Sequence, residues 1–129
     1  MMQRSFFLLL VFIVLFLSGC NRSPATAFVD GTVTFDGKPL VNAEVGFHPV
    51  DGSRPSFGMT DASGNYWLQF SPTLKGALPG EHKVVILTAG ESDPSNPVRE
   101  TLPAKYNSAS ELKPVLKKGQ QTINFELMP

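Results

Sequence analysis

In a chain of 129 residues, few side chains have the type and spacing to do chemistry, and Cys20 is the first of them. It is the only cysteine, and it closes the run Leu17-Ser18-Gly19-Cys20 at the end of an apolar stretch. An ordinary export signal offers a small residue at its cut site, so a thiol there asks for its own explanation. His48 and His82 are the only histidines, each at a strand-like position. A zinc site takes three or four ligands, and no His-x-His pair or second thiol is present to complete one. His82 reads instead as a partly buried aromatic substitute in the core. Asp61, Ser63 and Asn65 alternate as at the start of a calcium loop, which also needs a bidentate acid beyond its glycine. Ser71 stands seven residues after Gly64, so a turn is the simpler reading. Nothing in the spacing of Asp30, Asp51 and Glu81 predicts a shared cation, and no Gly-x-Ser-x-Gly nucleophile elbow occurs. The expectation is a chain without catalytic residues, metal ligands or cofactor.

Three residues are candidates for contact instead of catalysis. Trp67 falls on the strand face expected to meet solvent, where it either covers a sheet edge or marks a contact surface. Lys105-Tyr106 lies in an otherwise polar region after Pro103. Anchoring of that region by the Tyr106 ring is the first reading, and a surface shared by Trp67, Lys105 and Tyr106 for a glycan or protein is the second.

The elements that must position these residues begin with the N-terminus. Arg4 supplies a positive n-region and Phe6 to Leu17 an apolar h-region, the parts of a secretory signal peptide. The run is shorter than the roughly 20 apolar residues that cross a bilayer, and the chain turns polar at once with Asn21, Arg22 and Ser23. Leu17-Ser18-Gly19-Cys20 resembles a bacterial lipobox. That resemblance implies diacylglyceryl transfer to the Cys20 thiol, cleavage between Gly19 and Cys20, and N-acylation of the new terminus. The alternative is a plain signal peptide with an incidental cysteine. The organisation expected is a signal peptide over 1–19, a lipidated tether over 20–27 and one domain over 28–129. Asn21 to Ala27 is small, polar and proline-containing, and its seven residues extend to roughly 25 Å at most. Asn21 follows the cysteine where an aspartate could signal inner-membrane retention, which favours the outer membrane of a bacterial envelope.

Composition bounds the rest. About 110 residues after the signal are one ordinary domain, and a domain of that size can fold without a crosslink or metal. Eleven basic and eleven acidic residues balance, with no basic stripe beyond Lys117-Lys118, so a nucleic-acid partner is not expected. Period-two alternation recurs along the chain: Val29, Gly31, Val33 and Phe35; Ala43, Val45 and Phe47; Tyr66, Leu68 and Phe70; His82, Val84 and Ile86; Ile123, Phe125 and Leu127. Phe57 and Met59 suggest a short strand, and Val115 a weak one. Asp36-Gly37 and Asp61-Ala62-Ser63-Gly64 are turn signals. Ala89 to Pro103 is irregular, with a polar run from Gly90 to Pro97 that is too polar for the core and expected to be mobile. About seven short strands with no helical period predict an all-β sandwich. Its expected core is Phe35, Val45, Phe47, Tyr66, Leu68, Val84, Ile86, Ile123 and Phe125.

The ordered set Gly31-Thr32-Val33, Gly37-Lys38-Pro39-Leu40, Ala43 through Pro49, Thr60 through Tyr66 and Pro79 through Val84 resembles the carboxypeptidase regulatory-like domain. The resemblance covers nearly all of the chain after the signal and implies a transthyretin-like Greek-key β-sandwich. Leu102-Pro103-Ala104-Lys105-Tyr106-Asn107, together with the Cys20 motif, is similar to small lipoproteins of this type in planctomycete-like bacteria. Transthyretin-like folds include a hydroxyisourate hydrolase, whose C-terminal Tyr-Arg-Gly-Ser signature is absent here. The resemblance thus implies fold and location more than activity. The expected partners are the membrane, through lipid on Cys20, and a protein or glycan. The expected role is adhesion, scaffolding or ligand binding, with a carbohydrate-binding module or an accessory of an envelope enzyme or transporter as the alternatives.

Overall fold

The computed structural model describes residues 23–88 and 100–129. The signal segment, Cys20 and the polar run Gly90 to Pro97 lie outside the described residues, and the expectations of lipidation and of a mobile segment lie there with them.

Among the described residues the fold is all-β, with two sheets facing one another across a single core and one short 3-10 turn. The first sheet is organised around β1 (Ala27–Phe35), whose burial alternates as its sequence requires: Val29 and Val33 inward, Phe28 and Asp30 outward. Asp36 and Gly37 both take positive φ, 51° and 77°, and so make the two-residue hairpin that returns the chain as β2 (Lys38–Pro39). Along the same edge of β1 runs β5 (Asn65–Trp67), antiparallel, with Trp67 opposite Asp30. On the other edge β8 (Gly119–Thr122) and β9 (Phe125–Leu127) pair in parallel with the two halves of β1. The second sheet has the order β4 (Ser56–Met59), β3 (Glu44–Pro49), β6 (Gly80–Leu87), β7 (Val115–Leu116). Its spine is the antiparallel β3–β6 pair, in register from Glu44 opposite Leu87 to Pro49 opposite His82.

The expected single last strand is divided in two. The Ile123 amide donates to the Asp30 carbonyl, and the Asn124 side-chain oxygen accepts from the Thr32 amide at 2.9 Å, so a side chain replaces one rung of the backbone ladder. Gly31 makes this possible, because a Cβ there would overlap the Ile123 carbonyl oxygen. That carbonyl also accepts from the Tyr66 hydroxyl at 2.6 Å. Burial, and next the Asp30 charge, push the Tyr66 phenol well above its usual range, so the proton that makes this bond stays in place.

The core holds Val45, Phe47, Tyr66, Leu68, Val84, Ile86 and Phe125 as expected, each contributing roughly 1.5–3 kcal/mol by burial. Phe47 meets Phe125 edge-on at 6.1 Å between centroids. Phe35 and Ile123 are corrections: both are only half-buried and pack against the core from its margin. Phe35 sits at the hairpin end of β1, and Ile123 at the break between β8 and β9. Leu102, in the segment expected to be irregular and polar, is buried in the core. The packed part of the chain also starts earlier than Phe28. Ala25 is 2% exposed and Ala27 opens β1, hydrogen-bonded in both directions to Ala77.

Candidate functional site

The two sheets join along one side, where β4 meets the β5 strand and its continuation. Phe57 and Gln69 exchange backbone hydrogen bonds at 3.0 and 2.8 Å. Strand alternation then decides which side chains face out. On β4, Ser56 and Gly58 are buried and Phe57 and Met59 are exposed. The inward positions are small because β5 lies so near: a Cβ on Gly58 would overlap the Trp67 carbonyl oxygen. This seam therefore carries a row of large apolar side chains on its outer surface, with Trp67 52%, Met59 50% and Phe57 41% exposed.

Two shallow grooves run beside these residues. One, of about 370 Å³, is lined by Glu44, Phe57, Gly58, Met59, Trp67 and Gln69. The other, of about 390 Å³, lies against Arg54, Pro55, Phe57, Gln69, Phe70 and Ser71. Phe57 and Gln69 belong to both, so the two form one extended surface. Cations cover its rings: Lys75 Nζ lies 5.9 Å from the Trp67 centroid, and Arg54 Cζ lies 5.1 Å from that of Phe70. His48 stands edge-on to Phe57 at 5.6 Å. Partial burial lowers the His48 pKa below its ordinary 6.5, against the opposing pull of Glu44, the next contribution in size. A flat apolar ring bordered by a carboxylate and an amide can hold a ligand by stacking while the polar groups fix its orientation.

Lys105 and Tyr106 belong to a different part of the molecule. Both lie on the 3-10 turn η1 (Ala104–Tyr106), with Lys105 Nζ 5.2 Å from the Tyr106 ring centroid. The half-buried Tyr106 packs against the core, and its hydroxyl accepts from the Met128 amide at 2.8 Å. Met128 follows β9 on one edge of β1, whereas Trp67 pairs along the other. Among the described residues, no hydrogen bond or ring contact joins Trp67 to Lys105 or Tyr106. The structure brings Lys105 and Tyr106 together but does not bring Trp67 into contact with them, and Tyr106 packs as an anchor.

The remaining candidates resolve locally. Asp61 Oδ1 accepts from the amides of Ser63 and Asn65, both at 2.9 Å, which is turn geometry. His82 is 1% exposed, more deeply buried than expected, with Nε2 2.7 Å from the Leu78 carbonyl and Nδ1 without a hydrogen-bond partner. It points into the core while His48 points out. Among the described residues, no three His, Cys, Asp or Glu side chains converge as metal ligands.

The sequence reading found Trp67 but missed Phe57, Met59, Glu44 and Gln69 as its neighbours. The signal was there in part: Ser56-Phe57-Gly58-Met59 alternates small and large residues, which in a strand places the large ones outside when the small ones face a close neighbour. No family model matches the chain, and no curated protein matches it.

Proposed function

We propose that this chain is a non-enzymatic module of the bacterial envelope, anchored by lipid on Cys20, that binds a ligand or partner through the β4–β5 surface around Trp67. The fold we assign it is a transthyretin-like Greek-key sandwich, preceded by a lipoprotein signal peptide. The observation that carries the binding role is the seam itself. Its backbone pairing and its small inward residues leave Phe57, Met59 and Trp67 outside, where they are not needed to close the core. Exposed large side chains that cluster in one continuous patch mark interaction sites more often than scattered ones. The anchor is supported by the register of Arg4, the apolar run and Leu17-Ser18-Gly19-Cys20. Two or three acyl chains hold a protein on a membrane where one does so only marginally.

A glycan is the ligand class that the groove composition favours, since Glu44 and Gln69 can hydrogen-bond hydroxyls beside the Trp67 ring. Glycan-array binding by the wild type that is lost in Trp67→Ala supports this. Binding that survives the substitution removes Trp67 from the site. Fractionation of cells carrying Cys20→Ser tests the anchor, and tight membrane association of a processed, lipid-free chain would sink it.

A further inference from the structure

The end of the domain where the chain arrives from Cys20 carries a second surface, which adjoins the Trp67 groove through Phe28 and Lys75. Ala27 pairs with Gly119 and with Ala77, and the Gly119 amide donates to the Thr26 carbonyl. These pairings gather the segments around Lys75 and Lys117-Lys118 at the entry point of the chain. Lys75, Lys117 and Lys118 are exposed there, and so are the apolar side chains of Phe28 (43%) and Leu74 (39%). Of the acids at this end, Asp51 lies in the loop after β3, and Glu81 stands opposite Val115 on β7, two residues before Lys117, one carboxylate against three lysines. Asp30, further along β1, is occupied by hydrogen bonds from Gln120 and Thr122. The opposite end of β1 carries Asp36, Asp61 and Glu126, against Lys38 and Lys105. The two ends stand roughly 25 Å apart along the strand, beyond the Debye length of about 10 Å at 0.1 M salt, so the distant acids do not cancel the lysines.

Covalent geometry decides which end can reach a membrane. Ala25, which is buried, stands five positions after Cys20 with four residues between them, a span of about 17 Å at most. This is shorter than the roughly 25 Å expected of a tether running to Ala27. Turning the far end toward the bilayer would lift Ala25 by about the length of β1, further than the stretch from Cys20 to Ala25 extends. We infer that the entry end of the domain, with Phe28, Leu74, Lys75, Lys117 and Lys118, rests on the bilayer surface, its lysines against anionic lipid phosphates and its apolar side chains at the headgroup boundary. Lysines near such a surface are attracted to it, and their apolar stems tolerate the interface. This rests on the lipid-anchor reading and adds an orientation to it. The β4–β5 groove runs from Phe57 near the bilayer to Met59 and Glu44 away from it, on the flank of the domain and open to a partner.

Trp67 is the only tryptophan, which makes the test direct. The full chain is purified from membranes, its mass read for lipid on Cys20, and the protein reconstituted into phosphatidylcholine vesicles with and without phosphatidylglycerol. Wild type is compared with the doubly substituted Trp67→Phe/Leu74→Trp protein, using lipids brominated on the acyl chain as quenchers. The expected result is strong quenching of the tryptophan introduced at position 74, with weaker quenching of Trp67 in wild type. It should be greatest in anionic vesicles and lost when Lys75, Lys117 and Lys118 are changed to Gln. Circular dichroism confirms that each variant is folded. A lipidated protein whose position-74 tryptophan stays as open to aqueous iodide in vesicles as in detergent overturns the orientation and leaves the anchor standing. Quenching unchanged by the three substitutions overturns the role given to the lysines. A mature chain with no lipid on Cys20 overturns the anchor, and the orientation with it.

Discussion

The two sides of this sandwich are closed by different means. Along the β4–β5 side the sheets are stitched by backbone, Phe57 to Gln69, and the strands approach closely because Gly58 has no side chain to intervene. Along the other side the free edge of β6 is covered by residues 102–114, largely through polar groups. Leu112 and Pro114 carbonyls accept from Val84 and His82 amides, the Ser110 hydroxyl donates to the Val84 carbonyl, and Asn107 reaches the Ile86 carbonyl at 3.4 Å. Leu102 plugs the core beneath and Tyr106 ties the segment to Met128. The difference decides what each side can do. Where backbone closes the seam, Trp67, Phe57 and Met59 are released to the surface. Where side chains join the backbone in closing it, those side chains, Tyr106 included, are committed to the fold.

The largest effects should come from the side that side chains help to close. Leu102→Ala removes a buried plug and should destabilise by about 2–5 kcal/mol, read as a lowered midpoint in urea unfolding. A loss under 1 kcal/mol would mean that the segment is not part of the core. On the backbone side, Gly58→Ala presses a methyl group into the Trp67 carbonyl and should cost about 1–3 kcal/mol. Because the displaced strand carries Trp67, its fluorescence should shift in the folded protein too, a change that Leu102→Ala should not produce.

How much of this contrast was legible beforehand follows from the range of the interactions. The alternation of Val29 with Val33 and of Val84 with Ile86 is local, as are the positive-φ turn at Asp36-Gly37 and the Asp61 turn, and each could be read from spacing. Trp67 was legible as an outward residue for the same reason. Its neighbours were not, because Phe57 and Gln69 meet by pairing between sheets, which no local period encodes. The break at Ile123-Asn124 was hidden because a side chain stands in for a backbone rung. Leu102 was hidden because its flanks are polar and proline-rich, and its burial depends on the edge of a strand more than a dozen residues away.

Smaller substitutions sharpen the contrast between the two aromatic residues. Tyr106→Phe loses one hydrogen bond to the Met128 amide and should cost about 0.5–1.5 kcal/mol with no change in ligand binding. Trp67→Ala should stay within about 0.5 kcal/mol of wild type, as exposed positions do, while removing the ring from the groove. If Trp67→Ala destabilised more than Tyr106→Phe, the seam would depend on its outer side chains and the proposed division of labour would fail.

The smallest expected effect is a pH dependence at the seam. Burial holds the folded-state pKa of His48 below its ordinary 6.5, so the unfolded chain binds a proton there more readily than the folded one does. Stability from this group is fully present above about pH 6.5 and is lost as pH falls through the depressed folded value. The side chain is only partly buried, so solvent still screens the effect. Because His48 stands edge-on to Phe57 on the outer face of β3, protonation should act on the backbone-closed side and not on the side that Tyr106 holds. Thermal unfolding of wild type and His48→Gln between pH 7.5 and 5.5 isolates the contribution of this ring, since the other titrating groups are common to both. The wild type should lose slightly more stability on acidification. Parallel slopes would show that the ring beside Phe57 is hydrated in the folded protein as fully as in the unfolded chain.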